Sequence, residues 1–411
     1  MKRLRTASTR QLAVILGAIA ALALTAAIAQ GALTGSATPP GPKALANAVL
    51  DAFNAPEPDG LQAKIHFTNR LLPSGSLPGG AASPLAAGAD GRLWVQKSGK
   101  FRLELQSDAG DAQIVSDGKT VTVYDASSNT VYRATLPKGA TDAATPNDHA
   151  DEKLTLAKIQ KALDELAKTW TVSGADPTAT AGQPSYTVKI SPKDDGGLLG
   201  AAQAAWDAVT GAPLRAAVYA QGQSDPVLEL AATDVSYGAV ADSDVNVTPP
   251  AGAKVNDLTP KDQGSGASAD TYVDPGKAHA GHEKTQSLAA VQGALDFKLA
   301  APDTLAGLPR KAVRLVSLDG DQGALAVYGK GFGAIAVLAH KVKPADAAPS
   351  NGKGGGDRAL SLPAINIDGA TGSELATALG TVVTFERDGV AYVVAGSVPP
   401  VAAENAARGL K

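Results

Sequence analysis

The chain has 411 residues, 44% of them apolar but only 4% aromatic, with no cysteine and a formal net charge of −3. That length exceeds one ordinary core and implies two domains plus linkers; the scarcity of rings argues against a nucleobase-stacking platform, and the lack of cysteine excludes disulfides, thiolate nucleophiles, zinc–thiolate sites and an acylated cysteine after a signal. Residues 1–33 hold four bases and no acid, so the remainder carries 33 bases against 40 acids, a net charge of −7 that argues against nucleic acid as a partner.

Lys2, Arg3, Arg5 and Arg10 precede Leu12 to Ala29, an 18-residue stretch without a charge. Ala27-Ile28-Ala29 before Gln30 fits a small-residue cleavage site, and the same stretch is just long enough to span a bilayer with its basic end inside. Residues 1–33 are therefore a signal peptide or an N-terminal membrane anchor. Either way the bulk of the chain works outside the cytoplasm, secreted or anchored to the cytoplasmic membrane.

Lys43 to Phe53 forms a short helix with Leu45, Val49, Leu50 and Phe53 on one stripe, stopped by Pro56 and Pro58. Leu61 to Leu72 is a long strand with Ile65 and Phe67 inward against Lys64, His66 and Thr68. Pro73 to Gly91, rich in Pro, Gly and Ser, has the composition of a mobile surface loop. From Arg92 to Leu136 the pattern is a stack of short antiparallel strands. Phe101, Leu103 and Leu105 fall on one face and Arg102, Glu104 and Gln106 on the other, Val121 and Val123 repeat the period of two, and Asp117-Gly118 and Ser127-Ser128-Asn129 supply turns.

Leu154 to Trp170 is the clearest helix, with Leu156, Ile159, Leu163, Leu166 and Trp170 at helical spacing. Strands resume at Tyr186–Ile190, Ala202–Asp207, Leu214–Ala220, Val227–Ala232 and Val235–Tyr237, before the closing Val245 to Pro250. The stretch from Lys254 to Gln286 is polar and reads as a linker. A second unit starts at about Ser287, with strands near Ala312–Leu318, Ala324–Tyr328 and Ala334–Lys341 and a low-complexity hinge at Ser350–Asp357. It closes with a short helix at Gly372–Leu379, a strand pair within Val382–Gly396 and a helix at Val401–Leu410, which makes a small α+β domain.

Ala205-Trp206-Asp207-Ala208-Val209-Thr210-Gly211-Ala212-Pro213-Leu214-Arg215, followed by Val218-Tyr219 and closed by Pro249-Pro250-Ala251-Gly252-Ala253-Lys254-Val255, resembles the LolA/RseB superfamily. Its members repeat a strand ending in Trp-x-Asp or a variant, a turn to Pro-Leu, a returning strand and a terminal Pro-x-Gly-x-x-Val. Asp117-Gly118-Lys119 to Tyr124, then Asn129 to Tyr132, is similar to the family's middle hairpin. The resemblance covers residues 43–255; the family's usual Phe before the last Pro-rich stretch is replaced by Val245 and Val247, which bears on the cavity rim. Tyr328-Gly329-Lys330-Gly331-Phe332-Gly333 and Phe385 to Gly396, within residues 287–411, are similar to the small second domain of RseB-type proteins, which bind the extracytoplasmic part of an anti-sigma factor. The Ala- and Gly-rich composition also resembles actinobacterial members, among them mycobacterial lipid carriers of this fold.

The resemblance implies an α+β protein: a LolA-like curved antiparallel half-barrel with lid helices, a linker over residues 256–286, and a smaller C-terminal α+β domain. It also implies an apolar hollow that takes the acyl chain of a lipid or lipoprotein. The residues able to line such a hollow by their own alternation are Ile65, Phe67, Leu93, Val95, Phe101, Leu103, Leu105, Val121, Val123, Val188, Ile190 and Leu214. Inward apolar residues of a strand are, taken singly, more often plain core.

Chemistry-bearing constellations are poor. Of five histidines only His279 and His282 are close, with Glu283 the one neighbouring carboxylate, so a metal is not expected. The glycine runs at Gly329–Gly333 and Gly352–Gly356 lack the strand, helix and Lys-Ser/Thr of a phosphate loop. Asp194-Asp195 and the acids from Asp148 to Glu152 read as solvated turns, and no Gly-x-Ser-x-Gly elbow occurs. No cofactor is expected and a cell-envelope hydrolase is the least supported class. The expected function is a non-enzymatic extracytoplasmic carrier or sensor of acyl chains, with an RseB-like regulator of an anti-sigma factor as the alternative; the second unit favours regulation, and the Pro73–Gly91 loop suits gated ligand entry in both.

Overall fold

The computed structural model describes residues 37–72, 84–135, 154–193, 197–257, 287–318, 321–342 and 362–411. The architecture is mostly β, built on two sheets. The first contains β1 (Gly60–Asn69), β2 (Ala89–Gln96), β3 (Phe101–Ser107), β4 (Gly110–Ser116), β5 (Thr120–Asp125), β6 (Thr130–Thr135), β7 (Trp170–Val172), β8 (Asp176–Thr180), β9 (Gln183–Pro192), β10 (Leu199–Asp207), β11 (Pro213–Ala220), β12 (Leu228–Tyr237) and β13 (Lys254–Asp257). They lie in the order β13-β6-β5-β4-β3-β2-β1-β12-β11-β10-β9-β7, with β8 on β9, and the sheet curls into a half-barrel.

Each hairpin of the β2–β6 stack is closed by the turn residues that the alternation demands. Between β4 and β5, Oδ1 of Asp117 accepts the N–H groups of Lys119 and Thr120 at 2.7 Å each, and Gly118 takes φ +85°. Between β5 and β6, Oδ1 of Asp125 accepts from Ser127 at 3.0 Å and Asn129 adopts φ +45°. The two short strands expected over 227–237 are one strand, β12, whose register against β1 slips between Lys64 and Ile65.

Short helices stand on this sheet: α1 (Leu45–Asn54), α2 (Pro84–Ala87), α3 (Leu156–Leu166) and α4 (Asp242–Val245). α1 packs against α3. The second sheet contains β14 (Thr304–Leu305), β15 (Leu308–Leu318), β16 (Asp321–Tyr328), β17 (Ile335–Lys341), β18 (Ala364–Ile367), β19 (Ala370–Thr377), β20 (Gly380–Arg387) and β21 (Val390–Gly396), in the order β14-β15-β16-β17-β21-β20-β19-β18. One face of it is covered by α5 (Leu288–Ala294) and α6 (Pro400–Arg408). Their Val291, Ala403, Ala406 and Ala407 join Val313, Tyr328, Ile335, Val337, Val383 and Val394 in one core.

Four expectations are corrected. The loop expected over Pro73–Gly91 already folds at Pro84 into α2 and enters β2 at Ala89, because Leu85 packs against the apolar cluster of the first sheet; residues 73–83 lie outside the described residues. Trp170, at helical spacing in the sequence, opens β7 instead, since α3 stops at Leu166 and Trp170-Thr171-Val172 pairs with β9. The helix expected over Gly372–Leu379 is β19, paired on both sides by β18 and β20. The start of the polar linker, Lys254–Asp257, adds to β6 as a parallel strand.

The two sheets meet end to end. The Ala378 N–H donates to the carbonyl of Leu71 at 2.7 Å, and the Leu198 N–H donates to Ser397. Trp170 meets Phe332 edge-on with ring centroids 5.3 Å apart.

Candidate functional site

Register decides which side chains share a face of the half-barrel. Across its middle, Phe101 lies opposite Val95, Leu103 opposite Leu93 and Leu105 opposite Gly91. Val95, Leu93 and Gly91 lie opposite Leu61, Ala63 and Ile65, and these continue to Tyr237, Val235 and Ala232 on β12. Outward from β3 the same face runs through Ile114 to Val123 and through Ser116 to Val121. On the other arm it runs from Leu230 through Ala216 and Ala204 to Val188, and from Ala202 to Ile190. All twelve side chains named from sequence therefore project from one face of one sheet, Leu214 included by its two-residue offset from Ala216.

Eight of the twelve gather in a single cluster. Ile65, Leu93, Leu105 and Leu214 are buried in it, and Phe67, Val95, Phe101 and Leu103 pack against it half-buried. Val188 and Ile190 are buried further along, on β9, and Val121 and Val123 are half-buried on β5, all four outside that cluster. Sequence reading missed its small members, Ala63, Ala89, Ala112, Ala232 and Val235, and it missed Leu85 of α2. Alanine carries little periodicity signal, but each one follows from pairing with a residue already assigned to the face.

From β12 across to β4 this face presents no charged side chain; the first is Asp125, at the far end of β5. The opposite face is a ladder of polar pairs. His66 Nδ1 lies 2.7 Å from Asp90, Lys64 pairs with Asp234 at 3.2 Å, Arg102 lies over Trp94, and Glu104 accepts from Gln113. Arg215 pairs with Glu229 at 2.6 Å and donates to the Tyr219 hydroxyl at 2.7 Å. The sheet is thus apolar on one side and hydrated on the other.

α1 and α2 lie on the apolar side, whereas α4 meets the polar face, where Arg102 donates to the Asp244 carbonyl and Gln96 to the Asp242 carboxylate. Ala48 of α1 is buried with Tyr186 and Ala175 against Trp206; Leu85 of α2 sits beside the central cluster. The Trp206-x-x-x-Thr210-Gly211 turn is fixed by a buried carboxylate. Asp207, 1% exposed, accepts the N–H groups of Val209 and Thr210 on Oδ1 at 2.7 and 3.0 Å and the Tyr237 hydroxyl on Oδ2 at 2.7 Å. Burial foremost, with the Asp207 carboxylate adding to it, holds the Tyr237 hydroxyl far above its ordinary pKa.

A cleft of about 410 Å³ lies where the end of β1 meets the second sheet, with Arg70, Gln221, Asp225 and Ala378 on its walls. None of the twelve residues lines it, and its Arg70–Asp225 pair at 3.4 Å makes it polar. Gly329–Gly333 is the turn from β16 to β17. Among the described residues no group of three or more His, Asp or Glu is placed to hold a metal, and no helix is long and apolar enough to cross a membrane. His279, His282, Asp194-Asp195, Asp148–Glu152, Gly352–Gly356 and Leu12–Ala29 lie outside the described residues.

A family model described as "Predicted periplasmic protein (DUF2092)" matches residues 81–157, the span that carries α2 and β2 to β6. No curated protein matches the chain. Among solved structures, the Pseudomonas aeruginosa MucA/MucB complex is similar at 15% identity with a TM-score of 0.38, covering 88% of this chain and 95% of that one. MucB solved alone is similar at 15% identity with a TM-score of 0.34, covering 88% and 96%. A LolA superfamily protein from Nitrosomonas europaea aligns at 10% identity with a TM-score of 0.21, covering 50% of this chain and 98% of that one.

Proposed function

We propose that the protein is a non-enzymatic, extracytoplasmic carrier or sensor that holds the acyl chain of a lipid or lipoprotein against the apolar face of the half-barrel. One observation supports this above the others: an uncharged face continuous over β12, β1, β2, β3 and β4, with Phe67, Val95, Phe101 and Leu103 only half-buried. Side chains left partly open on such a face gain from a hydrocarbon partner. At about 0.8 kcal/mol per buried methylene, a long chain gains on the order of 10 kcal/mol, enough for carriage through water without a charged contact.

In this reading α1 and α2 are the lids, residues 43–255 form the carrier domain, and the N-terminal segment exports or anchors it. Native mass spectrometry after mild extraction tests it. A co-purified acylated molecule is the expected result, and an empty protein from every membrane preparation overturns it. An N-terminal sequence beginning at Gln30 in the mature protein decides cleavage against anchoring.

A second reading is favoured by the second sheet, within residues 287–411. The face turned away from its core carries Val327, Ala336, Ala395, Val382 and Leu375 in register across five strands, all half-buried. That surface suits a protein partner, and the resemblance names one, the extracytoplasmic part of an anti-sigma factor. Stoichiometric capture of such an ectodomain supports regulation, with the first sheet sensing the acyl chain.

A further inference from the structure

Among the described residues most large apolar side chains are covered, but two of the most exposed sit on neighbouring segments. Phe53, at the end of α1, is 57% exposed, and Val209, in the β10–β11 turn, is 64% exposed. The two segments touch: a Cβ placed on Gly211 would lie 2.3 Å from the carbonyl oxygen of Ala52. α1 and the turn thus form one apolar tip at the end of the half-barrel, held rigid by the buried Asp207.

The two segments of the tip hold no base, and the adjacent Lys43 is engaged by Asp51. Residues 44–63 hold Asp51, Glu57 and Asp59 but neither Lys nor Arg, and 207–214 hold none. Of these acids Asp51 is paired with Lys43 at 2.5 Å. An anionic partner finds nothing to bind there, whereas an uncharged, apolar one does.

The chain outside the described residues indicates which. The uncharged stretch ends at Ala29, 14 residues before Lys43, whose backbone pairs with Ala175 at the foot of α1. Fully extended, that length of chain reaches at most about 50 Å. If residues 12–29 remain in a bilayer, α1 is the described helix nearest to it along the chain. Two exposed apolar side chains alone give a weak surface contact, and such a tether turns that contact into an intramolecular one at high effective concentration.

We propose that the Phe53–Val209 tip is a membrane-docking surface that rests in the interface of an uncharged lipid bilayer. The inference rests on the retained N-terminal segment of the proposed reading, not on acyl carriage. β10 sets the orientation that follows. The tip lies at its Asp207 end, while Leu198, at the other end, is bonded to Ser397 of the second sheet. Nine residues of strand separate them, about 30 Å, so a docked tip directs the second sheet away from the lipid.

The absence of native cysteine gives a direct test with the full chain. Val209→Cys and Val401→Cys, the latter at a 62% exposed position on α6, each carry an environment-sensitive fluorophore and are reconstituted into phosphatidylcholine vesicles containing doxyl-labelled lipid. The expected result is a blue shift and quenching at 209, neither at 401, a smaller effect at 209 in the Phe53→Ser background, and a smaller effect in phosphatidylglycerol vesicles. A chain that floats with the vesicles while the 209 label stays unquenched overturns the docking, as does equal quenching at both positions. A chain that does not float overturns anchor and docking together. Lipid co-purification, measured separately, reports on acyl carriage and is indifferent to these outcomes.

Discussion

The Tyr237 hydroxyl donates to Oδ2 of Asp207 across 2.7 Å, tying the end of β12 to the β10–β11 turn over the intervening strand. Asp207 is buried and its other oxygen is spent on two backbone N–H groups, so water cannot replace the tyrosine cheaply. Tyr237→Phe is expected to destabilise the first sheet by about 1–3 kcal/mol, the cost of a buried acceptor left unmade. Asp207→Ala is expected to cost more, because it frees two N–H groups and the hydroxyl at once. Denaturant unfolding of both variants and of the double variant checks this; the double is expected to fall well short of the sum, since both changes remove the same bond.

Leu103 and its chain neighbours offer a test of the apolar face at single-residue resolution. Leu103 is half-buried on the cluster side, while Gln106 is exposed on the polar side of the same strand. Leu103→Glu is expected to abolish acyl occupancy in native mass spectra while the protein is still exported and folded. Gln106→Glu adds the same charge to the other face and is expected to change nothing. Equal occupancy in both variants would mean that the bound chain, if any, lies elsewhere.

The half-barrel was legible where period-two alternation met Asp, Asn and Gly turns, which is why Phe101, Leu103 and Leu105 could be set on one face from sequence. It was not legible where pairing overrides propensity. Gly372–Leu379 contains Glu, Leu and Ala, good helix formers, yet is held as β19 by strands on both sides. Lys254–Asp257 is polar and has no pattern of its own; β6 supplies its strand geometry. Trp170 fits the helical period of α3 by coincidence of spacing, and the β-branched Thr169, Thr171 and Val172 around it were the unused signal. The site's small residues escaped because Ala63, Ala112 and Ala232 alternate too faintly to separate one face from the other. The tip escaped because Phe53 and Val209 are 156 positions apart in sequence.

Glu374 predicts a pH dependence. It sits in register with Val383 and Val394 on the core side of the second sheet, and its Oε2 is buried without a hydrogen-bond partner. Burial, reinforced by the nearby Glu404 carboxylate, raises its pKa above the ordinary carboxyl value. The folded state therefore binds this proton more tightly than the unfolded state does. The resulting stability is fully present below the unfolded pKa and is lost as pH rises through the raised folded one. Glu374→Gln, which stays neutral, is expected to be more stable than the parent at pH 8 by about 1 kcal/mol, with the difference vanishing at pH 4. Urea unfolding at both values checks it, and an unchanged difference across that range would remove Glu374 as the cause.

Gly211 makes the last prediction, on the seating of α1. Its φ of +71° disfavours any L side chain, and the Ala52 carbonyl fills the space a Cβ needs. Because that obstacle is backbone, relief requires α1 to shift away from the turn. Gly211→Ala is expected to cost about 2 kcal/mol or more, from left-handed strain of about 1–2 kcal/mol plus the clash. The loss is expected to be local: amide exchange in Leu45–Asn54 accelerates by at least an order of magnitude, while β14 to β21 exchange as in the parent, since α1 packs against α3 and against Tyr186 and Trp206 of the first sheet. Uniform acceleration across both sheets would show instead that the turn stabilises the whole chain.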